Sequence, residues 1–581
     1  MSQDASSSPS PTAPSSSENL ILKELVFPSV ALRDNRLVVT PGAGLRVKNR
    51  IFRSSISGRF DNDNGTGTET RIRWEEKFAR GGVGAIISSF VPVQLNGRIL
   101  INYATIHHND TIPFWSELVA RVHKFECKYI VQLSHSGRQR DVPGILNVSD
   151  IARSATNKTD SFHGLLSQRM TDDELNEMID SFAEGAWRAR EAGADGVELH
   201  ASHGYLFTQF LSSAINNYPP DHKYGGPIEK RAQFLVDVIT AIRKRVGWDF
   251  HVQAKINILD RNRAFWPLER EDGNGVEENL KVFALAEAAG LNGLHVSAGS
   301  TFPHPLVPPG GFPTDELAGT YGGMASSGVR SFTNLTLFHF PILRPIFRGI
   351  WNRTKSEFPV EGVTAQLSHA VREESLARAK LRGAPEGYLP VLNTGGYQDG
   401  KLIRQVIEQG DCDGVSMARP LIANNDLVNS YFAKGEDLPD KPCTFCNRCL
   451  VNAIANPLGC YDQTRFASRK EMLEAVESVF AVQIPILGAV SELAITGEQR
   501  TRHRDGELVD RIYATPVELA LRKKHVAILL VVLAIVVLLT LLVLLVLAAA
   551  SGPDRPVAAA DGIGRAVDWV SHLSSLEFLS L

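Results

Sequence analysis

The amino-acid sequence predicts an α/β fold, a closed (β/α)8 barrel of the TIM type, with a single transmembrane helix near the C-terminus. Three observations carry this reading. Short apolar segments recur eight times, each followed by a loop and a helical stretch, the layout of a parallel sheet or barrel. Polar side chains with chemical reach gather at the ends of these segments, where barrel enzymes carry their chemistry. Residues 526–550 form an uncharged run. At 581 residues the chain exceeds what one core usually organises, so appendages beside the barrel are expected.

Residues 1–20 are Ser/Pro-rich without an apolar run, so burial cannot offset their ordering entropy and they are expected to be a disordered tail, not a signal peptide. Residues 21–440 are assigned to the barrel. Its strands are IFRSSI (51–56), GAIISS (84–89), YIVQLS (129–134), DGVELH (195–200), FHVQAKI (250–256), GLHVSA (293–298), YLPVLN (388–393) and DGVSMA (413–418). Amphipathic stretches such as 172–193 and 402–410 end in Gly and should cover the barrel. The interval 299–387 is too long for an ordinary loop and predicts a lid or helical insertion.

Residues 441–465 are Cys-rich, and 466–525 form a connector, read either as helices packed on the barrel or as a stalk. Val526 to Ala550 (VAILLVVLAIVVLLTLLVLLVLAAA) contains one hydroxyl and no charge, and as a helix it would span roughly 37 Å, enough to cross a bilayer. Arg522, Lys523 and Lys524 precede it, while the tail 551–581 has two arginines and no lysine, so the positive-inside rule puts the barrel in the cytosol.

The composition, 43% apolar and 22% charged with a net charge of -3, excludes a polybasic nucleic-acid binder. Of six cysteines, Cys443, Cys446, Cys449 and Cys460 fall in one short stretch, the look of an intracellular metal site rather than a disulfide framework. Cys127 and Cys412 are expected in the core. Sequons at Asn64, Asn109, Asn147, Asn157, Asn334 and Asn352 would matter only outside the cytosol.

The fourth unit, GADGVELHASHGYLFTQFL, places His200 at a strand end, His203 three residues on and Tyr205 two residues after that. Two neutral imidazoles can donate to one carbonyl oxygen, and a phenol can protonate carbon. A structural histidine and half of a zinc site are the alternatives. No cysteine or carboxylate nearby completes a metal set, and the i, i+4 spacing of zincins is missing.

HASHGYLFTQFLSSAINNYPPDHKYGGPIEKRAQF resembles the signature of the old yellow enzyme family of FMN oxidoreductases, and QLSHSGRQ (132–139), VKNRIF (47–52), NTGGY (393–397) and GVSMARPLIANND (414–426) resemble further family motifs in the right order. Together they cover roughly residues 20 to 465. The resemblance implies an FMN-dependent ene-reductase: NAD(P)H reduces the flavin, which delivers hydride to an α,β-unsaturated carbonyl compound. His200 and His203 then hold the carbonyl oxygen and Tyr205 donates the proton. It also implies that Gln132 meets the flavin pyrimidine, that Lys255 stands where the family often has arginine, and that Ser55, Ile56 and Ser57 contact the ring and ribityl chain. After the seventh and eighth strands, Gly395, Gly396, Ala418 and Arg419 supply N–H groups and a guanidinium where barrels commonly bind phosphate.

Ala418 replaces a usual glycine and Lys255 a usual arginine, departures that bear on flavin affinity or potential. The spacing Cys-x2-Cys-x2-Cys-x10-Cys resembles the iron–sulfur motif of the larger dienoyl-CoA reductase relatives, slightly shortened in two intervals. A [4Fe–4S] cluster, zinc and free thiols stay open there, and residues 466–525 carry no Gly-rich dinucleotide fingerprint. The leading expectation is a membrane-tethered ene-reductase acting on a small enone. An iron–sulfur flavoprotein that passes electrons to a partner and a flavin-binding protein without turnover are the alternatives.

Overall fold

The computed structural model describes residues 19–480 except 35, 141–150, 161–165, 261, 264–269, 272, 301–303 and 321–335. These fall in the first of two units, residues 1–497, and the second, 498–581, lies outside the described residues. The expected tail up to residue 18, the connector beyond 480 and the apolar run 526–550 therefore lie outside them too. Among the described residues no helix is long and apolar enough to cross a membrane.

Eight parallel strands close on themselves: β1 (Ile51–Arg53), β2 (Ala85–Ile87), β3 (Lys128–Ser134), β4 (Gly196–Ala201), β5 (His251–Asn257), β6 (Gly293–Ser297), β7 (Val391–Thr394) and β8 (Gly414–Met417). Each pairs with the next, and β8 pairs with β1, completing the TIM barrel expected from the sequence. Both faces of these strands are covered, one by helices and one by the barrel interior, and every residue of β4, β5 and β6 is accordingly buried.

The helix Asp172–Glu191 shows how local sequence makes the cover. Thr171 and Glu174 form a reciprocal capping box, three acidic residues follow the cap, and Leu175, Met178, Phe182, Ala186 and Ala189 make the inner stripe. The opposite end of the barrel is plugged by a short segment the strand count did not anticipate. Leu25–Val26 pairs antiparallel with Arg46–Val47, and Phe27 packs edge-on against Phe52 and His251.

The long interval between β6 and β7 is a helical insertion, as its length implied. Thr314–Thr320 and Arg344–Lys355 precede the covering helix Ala365–Leu381. Leu317, Ala318, Phe338 and Phe347 build a small separate core with Val451 of the Cys-rich segment. Beyond that segment, Arg469–Glu477 is helical and packs Met472, Leu473 and Val476 against Tyr461, so this part of the connector packs on the body.

Candidate active site

Register decides which side chains meet inside the barrel. Glu198 of β4 stands level with Gln132 of β3 and Gln253 of β5, and His200 stands level with Lys255, which stands level with His295 of β6. Strand residues two apart share a face, so Glu198 and His200, or Gln253 and Lys255, point the same way.

Glu198 is fully buried and anchors the lower level. Its carboxylate accepts from Gln132 Nε2 (2.7 Å), Gln253 Nε2 (2.6 Å) and His295 Nδ1 (2.6 Å). Burial alone would push this carboxyl up, but His295, Lys255 and the Gln132 amide hold it below the usual range. His295 Nε2 lies 2.7 Å from the hydroxyls of both Thr394 and Ser416, and Ser55 donates to Gln132 Oε1 at 2.8 Å. A buried polar network of this kind, fully bonded, fixes the side chains above it.

Above it opens a cavity of about 320 Å³ lined by Ser54 to Ser57, His200, His203, Tyr205, Lys255, Thr394, Ala418 and Arg419. The turn after β4 builds one part of its wall. His203 and Gly204 both take positive φ, 61° and 80°, and a Cβ on Gly204 would meet the Ser300 carbonyl oxygen at 1.9 Å. Only glycine fits there, and the reversal carries Tyr205 to the N-cap of the helix Leu206–Leu211. The rings of His200 and Tyr205 come within 4.9 Å centroid to centroid, and Phe90 packs edge-on against Tyr205 at 5.0 Å.

Both imidazoles are neutral. Burial, reinforced for His200 by His203 and for both rings by Lys255 and His295, drives their pKa values well below the ordinary histidine range. The Ser202 hydroxyl lies 3.2 Å from His200 Nδ1, and the Ser297 hydroxyl 2.7 Å from His203 Nε2. With those hydroxyls donating, each ring keeps its other N–H for an acceptor. Lys255 is buried beside the Ser54 hydroxyl, 3.2 Å from its Nζ, and burial lowers it to about 8 against the pull of Glu198.

Arg419 is also buried, held by the Pro309 carbonyl and Asn447 Oδ1 and stacked 5.1 Å from the Phe445 ring. Two buried cations and a row of serine hydroxyls on one cavity are a donor set suited to a phosphate-bearing, electron-accepting ring. The residues present therefore fit FMN. Gly395 and Gly396 are not among the cavity's lining residues. They press against the 360–364 segment, where a Cβ on Gly396 would meet the Val360 carbonyl oxygen at 2.2 Å. Gln132 is likewise beneath the cavity and reaches it through Ser55.

Phe90 and Tyr103 line the cavity without having been singled out in the sequence, and Gln139, the last residue of the QLSHSGRQ motif, lines it without having been given a role there. Gln139 donates to the His203 carbonyl at 2.6 Å and so holds the turn. A carboxylate and a histidine inside apolar strands were the available signal for Glu198 and His295, since such groups are rarely buried without a task.

Cys443, Cys446, Cys449 and Cys460 line one small cavity on the other side of Arg419, with Arg465 donating to Cys460 Sγ at 3.1 Å. Burial pushes the Cys443 thiol up to about 11 and raises Cys449 further. Among the described residues, no three His, Cys, Asp or Glu are arranged to hold a metal ion. Cys127 and Cys412 are core residues, as expected.

Residues 42–272 match the NADH:flavin oxidoreductase / NADH oxidase family. The chain is similar to an NADH oxidase of Thermoanaerobacter brockii, 26% identical over 481 residues, 80% of this chain and 63% of that one. A cinnamate reductase of Clostridium sporogenes is 26% identical over 426 residues, 71% of this chain and 54% of that protein. Against both, the chain spans less than two thirds of the relative's length. An NADPH dehydrogenase of Geobacillus thermodenitrificans is 33% identical over 263 residues, 45% of this chain and 72% of the relative. In fold the chain resembles a 2-naphthoyl-CoA reductase complex, with a TM-score of 0.56 at 21% identity, over 76% of this chain and 56% of that one.

Proposed function

This chain belongs to the NADH:flavin oxidoreductase / NADH oxidase family of enzymes, and from that premise we propose that it is an FMN-dependent, NAD(P)H-consuming reductase of activated C=C bonds in α,β-unsaturated carbonyl compounds. The observation that carries the proposal is the convergence of His200, His203 and Tyr205 on the cavity that Lys255 and Arg419 also line. The similarity to a cinnamate reductase supports it.

FMN, when bound, supplies hydride to the alkene. Lys255, with Ser54, Ser55, Ile56 and Ser57, lines the part of the cavity suited to the ring, and Gln132 supports Ser55 from below. Ala418 and Arg419 would hold the phosphate end, while Gly395 and Gly396, packed against the 360–364 segment, lie outside the lining. His200 and His203, held neutral by burial, donate to the substrate carbonyl oxygen, so that charge developing there meets oriented N–H dipoles. Tyr205 gives its proton to the α-carbon.

Purified protein should be yellow, release FMN on denaturation, oxidise NADH or NADPH and reduce cyclohexenone. FAD or an absent flavin contradicts the reading.

The four cysteines around one cavity favour a second reading, an iron–sulfur flavoprotein transferring electrons to a partner. Neither [4Fe–4S] nor zinc enters any step above. Iron and zinc analysis, with paramagnetic resonance of the reduced protein, separates the two readings. We also propose that residues 526–550 tether the chain to a membrane with the barrel in the cytosol, on the strength of the uncharged run and the basic triplet before it.

A further inference from the structure

A further cation lines the cavity and has no task in the reading above. Arg59, in the loop after β1, shares the lining with Lys255 and Arg419. Its backbone takes φ 53°, in the left-handed region that a long side chain rarely adopts. Such a conformation costs stability and persists where surrounding contacts hold it, commonly at binding sites. Two neutral acceptors are among those contacts: Nη1 donates to the Ile454 carbonyl, and Nη2 to Asn102 Oδ1 at 3.3 Å. Asn102 is fixed in turn through its Nδ2, which donates to the Asp61 carbonyl at 3.1 Å. Neutral acceptors orient a guanidinium without cancelling its charge.

Ring contacts relate Arg59 to the carbonyl donors. Asn102 precedes Tyr103, whose ring packs edge-on against Phe90 at 5.9 Å, and Phe90 packs edge-on against His200 at 6.1 Å and Tyr205 at 5.0 Å. Arg59, Tyr103, Phe90 and His200 all line the cavity, so the guanidinium and the imidazoles stand at opposite ends of an aromatic wall. A ligand whose carbonyl oxygen lies on His200 and His203, and whose apolar body follows Phe90 and Tyr103, brings its other end to Arg59.

The side chain and its neighbours set the chemistry of that other end. A guanidinium is a planar fork matched to a carboxylate. Ile454, whose carbonyl Arg59 bonds, lines the cavity with Leu450 and Ala453, and an ion pair made against an apolar wall is screened less than one in water. The cation assigned to the FMN phosphate is Arg419, after β8, whereas Arg59 is tied through Asn102 to the loop that carries the aromatic wall.

We propose that Arg59 binds a carboxylate at the far end of the substrate, so that the cavity selects enones in which an apolar body separates the carbonyl from an acid group. The word enone rests on the reductase reading. The anion site does not.

The test compares two enones of one shape, 4-(3-oxobut-1-enyl)benzoate and its neutral carboxamide, on the full chain as purified. In the parent, kcat/KM for the benzoate should exceed that for the carboxamide by about tenfold or more, the scale of a charge-assisted hydrogen bond. In Arg59→Gln the ratio should fall to about one. A ratio near one in the parent overturns the site whatever the variant does. A ratio that Arg59→Gln leaves unchanged, with both enones slowed alike, shows only the tie to the Ile454 carbonyl and overturns recognition. The same unchanged ratio with weakened FMN binding gives Arg59 to the cofactor and overturns it too. Binding without turnover is read by calorimetric titration with the saturated ketones, 4-(3-oxobutyl)benzoate and its carboxamide. The acid should bind the parent about tenfold more tightly than the amide and bind Arg59→Gln no better than the amide. Absence of enone reduction in the parent overturns the reductase reading, while the titration still decides the anion site: equal affinities of the parent for acid and amide overturn it.

Discussion

The imidazoles of His200 and His203 lie 5.2 Å apart between ring centroids with their planes at 84°, and each is bonded on one nitrogen by a serine hydroxyl from a different strand end. Ser202 and Ser297 thereby set which N–H each ring presents. His200→Ala and His203→Ala should each weaken binding of a phenol ligand, followed by flavin absorbance, by about 0.5–1.5 kcal/mol, the net scale of a neutral hydrogen bond. Unchanged affinity in both variants removes the pair from the carbonyl site.

Tyr205→Phe removes one hydroxyl and little volume. FMN content and flavin reduction by NAD(P)H should stay near normal, while cyclohexenone reduction in stopped flow should slow by about 10²–10⁴-fold, the usual cost of a lost general acid. If the variant reduces enones as fast as the parent, Tyr205 is not the proton donor.

Arg419 borders both the large cavity and the cysteine cavity. Arg419→Ala should therefore weaken FMN binding by about 1.5–3 kcal/mol, as for a charge-assisted hydrogen bond. It should also free Asn447 and Phe445 and speed the reaction of the nearby thiols with a disulfide reagent. Flavin affinity equal to the parent's would take Arg419 out of the cofactor site.

Burial holds His135 down to about 3, helped by Arg140, and His251 down to about 4 despite its bond to Gln253. Both are neutral in the fold, while in the unfolded chain they protonate below about 6.5. The unfolded chain then binds more protons, so stability is fully present above about 6.5 and declines as pH falls from there toward the folded values, by up to ~1.4 kcal/mol per unit for each ring. Urea midpoints at pH 7.5 and 5.0 should show the loss, and His135→Gln should flatten it by about one proton. A midpoint independent of pH over this interval contradicts the assignment.

Protease treatment of sealed microsomes reads the topology. An N-terminal epitope should be digested and a C-terminal one protected, as the Arg522–Lys524 triplet dictates. The reverse pattern overturns the cytosolic assignment.

The sequence by itself determined the barrel, because eight parallel strands buried on both faces must read as short apolar runs, and all eight segments became strands within a few residues of their expected ends. It also determined the His200, His203 and Tyr205 group, since these residues are local to one turn and their spacing survives folding unchanged. What only the tertiary structure decided depends on partners far apart in the chain. Strand register brought Glu198 between Gln132, Gln253 and His295, and no local pattern encodes a register. Close backbone approach pressed Gly395 and Gly396 against the 360–364 segment rather than into the cavity lining. Packing joined the insertion to the Cys-rich segment through Phe347 and Val451, and placed Arg419 between two cavities. These contacts depend on which surfaces meet when the core closes, a property of the whole chain.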